Sequence, residues 1–166
     1  MPKPPYTHVL CIDPGASGAA ALSELVSGNP CALHPFTTAR NASLFVEECL
    51  DKHHLLPVLM ENVHATPVMS RSSAFSFGTN FGVWQGILAS WDLPLWLVTP
   101  QAWQHEARIG SEVQGPARKA ALKAMAAALW PDRKITLATC DAALMGHVSA
   151  CVWAHRGTLP GKEFTL

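Results

Sequence analysis

The stretch "VLCIDPGASGAAAL", Val9 to Leu22, decides the fold. Four apolar residues lead into a carboxylate, Asp13, which runs straight into Pro14 and Gly15. The pattern predicts a buried strand over 9–13, a turn at "PGASG" and an antiparallel return over 19–25. Stripping water from an unpaired carboxylate is costly. Asp13 therefore needs a partner, hydrogen bonds or a metal ion.

Working outward, "CALHPF" (31–36) predicts a third strand, and Leu44, Phe45, Cys49 and Leu50 have helical spacing over 41–54. "PVLMENV" (57–63) predicts a short buried strand with a second carboxylate, Glu61. "HATPVMSRSS" (64–73) is loop by composition, and Ser72 or Ser73 can cap a helix reaching about Ser90. "LPLWLVTP" predicts a fifth strand, stopped by Pro100. Pro116 opens the helix "ARKAALKAMAAALW", which Pro131 ends, and Ile135 to Leu137 is a short extended link. Asp141 starts a last helix with Leu144, Met145, Val148 and Val152 on one stripe and Gly157 after its end. Three strands of hairpin character followed by alternating helices and strands predict one α/β domain over 1–166, a mixed sheet covered by helices.

The composition bounds the function. At 166 residues and 49% hydrophobic, the chain can bury a real core. No run approaches the roughly 18 apolar residues of a membrane helix, and "MPKPPYTH" has no apolar signal core, so the expectation is a soluble, cytoplasmic protein without membrane contact. Five scattered cysteines, with no C-x-x-C, predict reduced buried thiols. Zero net charge argues mildly against nucleic-acid binding. The charge is uneven, however: three basic against six acidic residues up to Glu61, then nine against six. The second half therefore has the means for a local basic face.

Asp13, Glu61 and Asp141 are each acids beside apolar neighbours. Singly, Asp13 suits a turn and Asp141 a helix cap, while a strand exit does not call for Glu61. The first and fourth strands can lie side by side, with a helix N-terminus over them. Like charges held together need a cation among them, and oxygen ligands without a Cys/His set point to Mg²⁺ or Mn²⁺. Two such ions about 3.5–4 Å apart can drive in-line phosphoryl displacement.

"IDPGASGAAAL", "LMENVHA", "FSFGTNFGVWQGIL" with "LVTPQAW", and "DAALMG" resemble the RuvC-like Holliday-junction resolvases, particularly the short phage and prophage type. The resemblance runs from about Val9 to Trp153. It implies a ribonuclease-H-like fold, here a mixed five-stranded sheet with helices on both faces. It also implies a homodimeric endonuclease of DNA recombination and repair that cuts four-way or branched DNA with two Mg²⁺ or Mn²⁺ ions and no nucleotide cofactor. Position by position, Asp13, Glu61 and Asp141 match the acids of the first strand, the fourth strand and the last helix. The family usually carries another acid or a histidine one helical turn before the last Asp. This chain has Ala138 there, and "DAALMG" is a looser match than a clear D-A-L run.

Other residues carry two readings each. Gly78, Gly82 and Gly86, spaced by four, cost about 1 kcal/mol each relative to Ala in a helix and suit close approach of the sheet or of a second subunit; the resemblance favours the subunit. Phe75, nearest the loop, is the best candidate among Phe75, Phe77, Phe81 and Trp84 for stacking on a base. His64, Ser70, Arg71, Ser72 and Ser73 form either a phosphate-holding loop or an ordinary capped surface loop. Arg118, Lys119 and Lys123 share a helix face, for phosphate or for solvent.

Cys140, His147, Cys151 and His155 spread over about 22 Å of helix, too far for one zinc ion with ligands at about 2.0–2.3 Å. Actin-like ATPases also begin with a strand, an Asp and a glycine-rich hairpin, but they close two such domains on a nucleotide. The competing non-enzymatic reading is a DNA-binding or scaffold protein on the same fold.

Overall fold

The computed structural model describes residues 6–64, 67, 69–108 and 115–166. The start of the chain, 1–5, and Ala65, Thr66 and Val68 of the expected loop lie outside the described residues. Strands β1 (His8–Asp13), β2 (Ala19–Glu24) and β3 (Pro30–Pro35) come first, then helix α1 (Ala39–Lys52) and strand β4 (Val58–Glu61). Helix α2 (Arg71–Ser90), strand β5 (Leu95–Val98), helices α3 (Pro100–Glu106), α4 (Gly115–Leu129) and α5 (Cys140–Arg156), and strand β6 (Lys162–Phe164) follow.

The sheet runs β3-β2-β1-β4-β5-β6. β4 is parallel to both β1 and β5, and β2, β3 and β6 are antiparallel to the strands they extend from. Six strands replace the five expected. The sixth is a three-residue edge strand, Lys-Glu-Phe, whose residues are all exposed, with no apolar run to announce it.

Side-chain alternation along β1 explains the two covered faces. Val9 and Cys11 join Leu59 in a core with Leu122 and Ala126 of α4 and Leu144 and Val148 of α5. Leu10 and Ile12 join Val58 and Met60 in a second core with Phe45 and Val46 of α1 and Trp84 and Leu88 of α2. A strand covered on both faces reads as continuous apolar sequence, which is why "VLCI" shows no polar alternation.

α5 is not the one-striped helix expected. It is buried around most of its circumference, and Gly146 lies against the side chain of Ser23 with no room for a Cβ. The glycine lets the helix sit close on β2, which positions its N-terminus. At the β1–β2 turn, a Cβ on Gly18 would overlap the carbonyl of Asp13, so the turn requires glycine there.

α3 is a second departure from the sequence reading. Pro100 does end β5, but Thr99 accepts a hydrogen bond from the Ala102 N–H and Pro100 takes the first helical turn. That is the signature of a helix start. All five cysteines are free; Cys11, Cys49 and Cys140 are buried as expected, while Cys31 and Cys151 are exposed. Among the described residues no helix is long and apolar enough to cross a membrane.

Candidate active site

β1 and β4 are neighbours in register, Ile12 opposite Met60, so Asp13 and Glu61 stand side by side at the carboxyl ends of two parallel strands. Asp13 shares the parity of Val9 and Cys11, and Glu61 that of Leu59. Both carboxylates therefore face the side that carries α4 and α5. Asp141 enters from the first turn of α5. All three are 8% exposed.

Each acid has partners that restrict it. The Gly15 N–H donates to Asp13 Oδ1 at 3.0 Å. The Trp103 indole N–H donates to Glu61 Oε1 at 2.7 Å. The ammonium of Lys119 lies 2.6 Å from Asp141 Oδ2 and 3.9 Å from Asp13 Oδ2. The Cys140 thiol, pushed up to about 12 by burial and the charge of Asp141, donates to Asp141 Oδ1 at 3.2 Å. Asp141 is thus bound to side chains, and the cap position belongs to Thr139.

The electrostatics are those of a site short of positive charge. Burial raises the pKa of Asp13, the charge of Asp141 raises it further, and the Gly15 N–H and Lys119 offset part of the shift. Burial pushes Glu61 up to about 8, helped by Asp13 and Asp141 and opposed by the Trp103 N–H and Lys119. Burial works against the Lys119 ammonium, but its hydrogen bond and ion pairs with Asp141 and Asp13 outweigh it, so its pKa is raised. With all three carboxylates ionised, the one ammonium would leave two negative charges uncompensated, and the raised pKa values of Asp13 and Glu61 express that deficit. An all-oxygen donor set with that deficit fits one or more hard divalent cations, Mg²⁺ or Mn²⁺. The three carboxylates do not bring one oxygen each within 4.8 Å of one another, and Lys119 lies between Asp13 and Asp141.

Two of the acids border a cleft of about 700 Å³. Asp13, Asp141 and Lys119 line it, with Ser17 of the turn, Ser72, Ser73, Ser76 and Phe77 of α2, and Ala138. Glu61 is not on its wall and stays tied to Trp103. A larger cleft, about 830 Å³, lies among α3, α4 and α5 and contains none of the acids. His147, Cys151 and His155 line that one, while Cys140 sits at Asp141, so the four residues of the rejected zinc set are divided between two places.

The remaining candidate residues divide similarly. Ser72 reaches the cleft, and Ser70 caps α2 by accepting from the Ser73 N–H at 3.0 Å. His64 and Arg71 are exposed and off the cleft wall. Phe75 is 78% exposed and also off the wall, where Phe77 stands instead. On α4, Lys119 turns to the acids, Arg118 is half-buried and Lys123 is exposed. Gly78, Gly82 and Gly86 have nothing within 4 Å of an added Cβ, so they do not face the sheet.

Sequence reasoning missed Trp103, and it named Lys119 for phosphate or solvent and not as the partner of the acids. Trp103 was detectable through the Thr99-Pro100 helix start, which places it a turn beyond the strand end. Lys119 was visible only as one basic residue among three.

No protein-family model and no curated protein matches this sequence. Among solved structures, the chain is similar to Thermus thermophilus RuvC, with a TM-score of 0.68 at 14% identity, covering 92% of this chain and 99% of that one. It is also similar to T. thermophilus RuvC in complex with a Holliday junction substrate, with a TM-score of 0.67 at 13% identity, covering 93% of this chain and 99% of that one. The chain therefore has the RuvC fold, a ribonuclease-H-like mixed sheet with helices on both faces.

Proposed function

We propose that the protein is a metal-dependent endodeoxyribonuclease that resolves four-way or branched DNA junctions by phosphodiester hydrolysis. The observation that carries this reading is that Asp13 and Asp141 line an open cleft of the RuvC fold, with Glu61 beside Asp13 at the neighbouring strand end and Lys119 as their shared cation. Asp13, Glu61 and Asp141 would hold Mg²⁺ or Mn²⁺. When bound, such ions supply Lewis acidity and a water acidic enough to act as nucleophile at neutral pH. The chain's own groups orient the substrate. Gly15 fixes one oxygen of Asp13, and Trp103 fixes one of Glu61. Ser72 and Ser73 bring the first turn of α2 to the cleft; Ser70 takes the Ser73 N–H, and the positive end of the helix dipole favours a phosphate there. Lys119 is the cation placed to exchange a carboxylate partner for a DNA phosphate. The test is cleavage of a labelled four-way junction with and without Mg²⁺. Binding without cutting under every metal condition would leave the non-catalytic DNA-binding reading, which Ala138 on the cleft wall favours.

Two active sites related by a two-fold axis suit paired cuts across a junction, so the working unit would be a homodimer. α2 supplies a surface for it. Only Trp84 and Leu88 of its 20 residues are buried, it has no charged residue after Arg71, and its glycines face open space. Gly82→Trp should leave the monomer folded, since nothing occupies the space, and should abolish dimers and coupled cutting. Light scattering beside a junction assay reads both. A wild type already monomeric at micromolar concentration contradicts the assignment.

For DNA contact beyond the cleft, Lys123 is the exposed cation of α4. Lys123→Ala should weaken junction binding and reduce the slope of log K against log salt by about 1 per dimer-half contact removed. An unchanged slope means that Lys123 faces only solvent.

Ala138 leaves a gap among the oxygen ligands. Mg²⁺ demands near-octahedral geometry and sheds water reluctantly, so the wild type should need millimolar Mg²⁺ and work better in Mn²⁺. Ala138→Asp should lower the half-activating Mg²⁺ concentration by about tenfold or more. Tight Mg²⁺ activation of the wild type, with no gain in Mn²⁺ or in Ala138→Asp, would show that another residue fills the gap.

A further inference from the structure

His8 at the start of β1, Glu24 at the end of β2 and Cys31 of β3 bring one nitrogen, one oxygen and one sulfur within 4.8 Å of one another. They are the only such trio among the described residues. We propose that these three side chains form a second, structural cation site for one borderline divalent ion of the zinc class.

Three features of the fold build this site. His8 and Glu24 are directly opposite in the β1–β2 ladder, so their side chains rise on one face. Cys31 is the extra residue of a β-bulge: Leu22 pairs with Ala32 and Ser23 with Pro30, leaving Cys31 without a ladder partner. Bulges re-aim a side chain, and this one delivers the thiol to the pair. His53, just past the end of α1, lies against His8 with ring centroids 3.7 Å apart and ring planes tilted by 34°. The donors are also steered by neighbours, as ligands of metal sites usually are. The Thr7 hydroxyl engages His8 Nδ1 at 2.9 Å, which leaves Nε2 for an ion, and the Ser27 hydroxyl donates to Glu24 Oε2 at 2.6 Å.

The chemistry of the donors selects the ion. Tetrahedral zinc with ligands at about 2.0–2.3 Å holds them about 3.3–3.8 Å apart, so side-chain rotation closes the trio. A mixed N, O, S set suits Zn²⁺ and not Mg²⁺. The site lies at the opposite end of β1 from Asp13, about 16 Å away at a strand rise of about 3.3 Å per residue. It is therefore independent of the nuclease reading. Its effect would be to fasten the ends of β1, β2 and β3 to one another.

Cobalt(II) titration of the full chain in excess Mg²⁺ tests this. The expected result is a near-ultraviolet thiolate-to-cobalt band that saturates at one ion per chain, is displaced by Zn²⁺, persists in Cys151→Ser and is absent in Cys31→Ser. His8→Gln should weaken the ion by more than the roughly 10–100-fold that outer partners are worth. Zn²⁺ at about 100 times its Kd should raise the wild-type melting temperature by about 5–10 °C and that of Cys31→Ser not at all. Cys31 is exposed, so this variant should fold, as circular dichroism will check. No thiolate band, or one that depends on Cys151 and survives Cys31→Ser, overturns the proposal.

Discussion

Asp13→Asn and Glu61→Gln should each lower junction cutting by on the order of 10³-fold or more, about 4 kcal/mol of transition-state stabilisation, with folding and junction binding retained. Both changes keep the shape of the side chain and remove its charge. Asn keeps an oxygen for the Gly15 N–H, and Gln keeps one for the Trp103 N–H, so neither leaves a buried donor orphaned. What each removes is part of the negative charge that two strand ends and a helix start concentrate at the cleft. Asp141→Asn should also stop cutting, but it separates Lys119 from its partner at 2.6 Å as well. Gel mobility and single-turnover cleavage on one labelled junction distinguish lost chemistry from lost binding. Near-parental cutting by Asp13→Asn or Glu61→Gln would remove that residue from the active site.

The site is legible in the sequence where it conflicts with its surroundings. An aspartate closing "VLCI" and a glutamate closing "VLM" are carboxylates in apolar strands, and the parallel pairing of β1 with β4 puts those two anomalies side by side. The hairpin was legible too, because Gly18 meets a local requirement at a turn. What was not legible depends on contacts between elements distant in sequence. Lys119 and Lys123 are one helical turn apart and look alike; only the packing of α4 against α5 turns Lys119 to Asp141. Phe75 and Phe77 differ by two residues, and the placement of α2 beside the β1–β2 turn decides that Phe77 lines the cleft. β6 forms because β5 offers it an open edge, which three exposed residues cannot announce. The thiol of Cys31 is exposed for a comparable reason: a bulge in the β2–β3 ladder, not the composition of "CALHPF", sets its direction.

The same charge deficit makes the metal-free protein weaker as the solution becomes more basic. Glu61 has an ordinary pKa of 4.5 and is pushed up to about 8 in the folded chain, with Asp13 shifted in the same direction. Between those values the folded state binds more protons than the unfolded one, so stability falls with rising pH. The contribution is fully present below about 4.5 and is lost as pH passes through about 8. In chelator, the melting temperature should therefore drop from pH 5.5 to pH 8.5, by about 5–10 °C on the usual scale for a chain of this size. Divalent cation binds the ionised carboxylates and displaces their protons. Saturating Mg²⁺ or Mn²⁺ should consequently restore more stability at pH 8.5 than at pH 5.5. Glu61→Gln separates this effect from the titration of other groups, since it cannot ionise. In chelator it should show a flatter profile than the parent and melt higher than the parent at pH 8.5. Parallel profiles for parent and variant would mean that Glu61 keeps an ordinary pKa and that the cluster is better compensated than Lys119 alone accounts for.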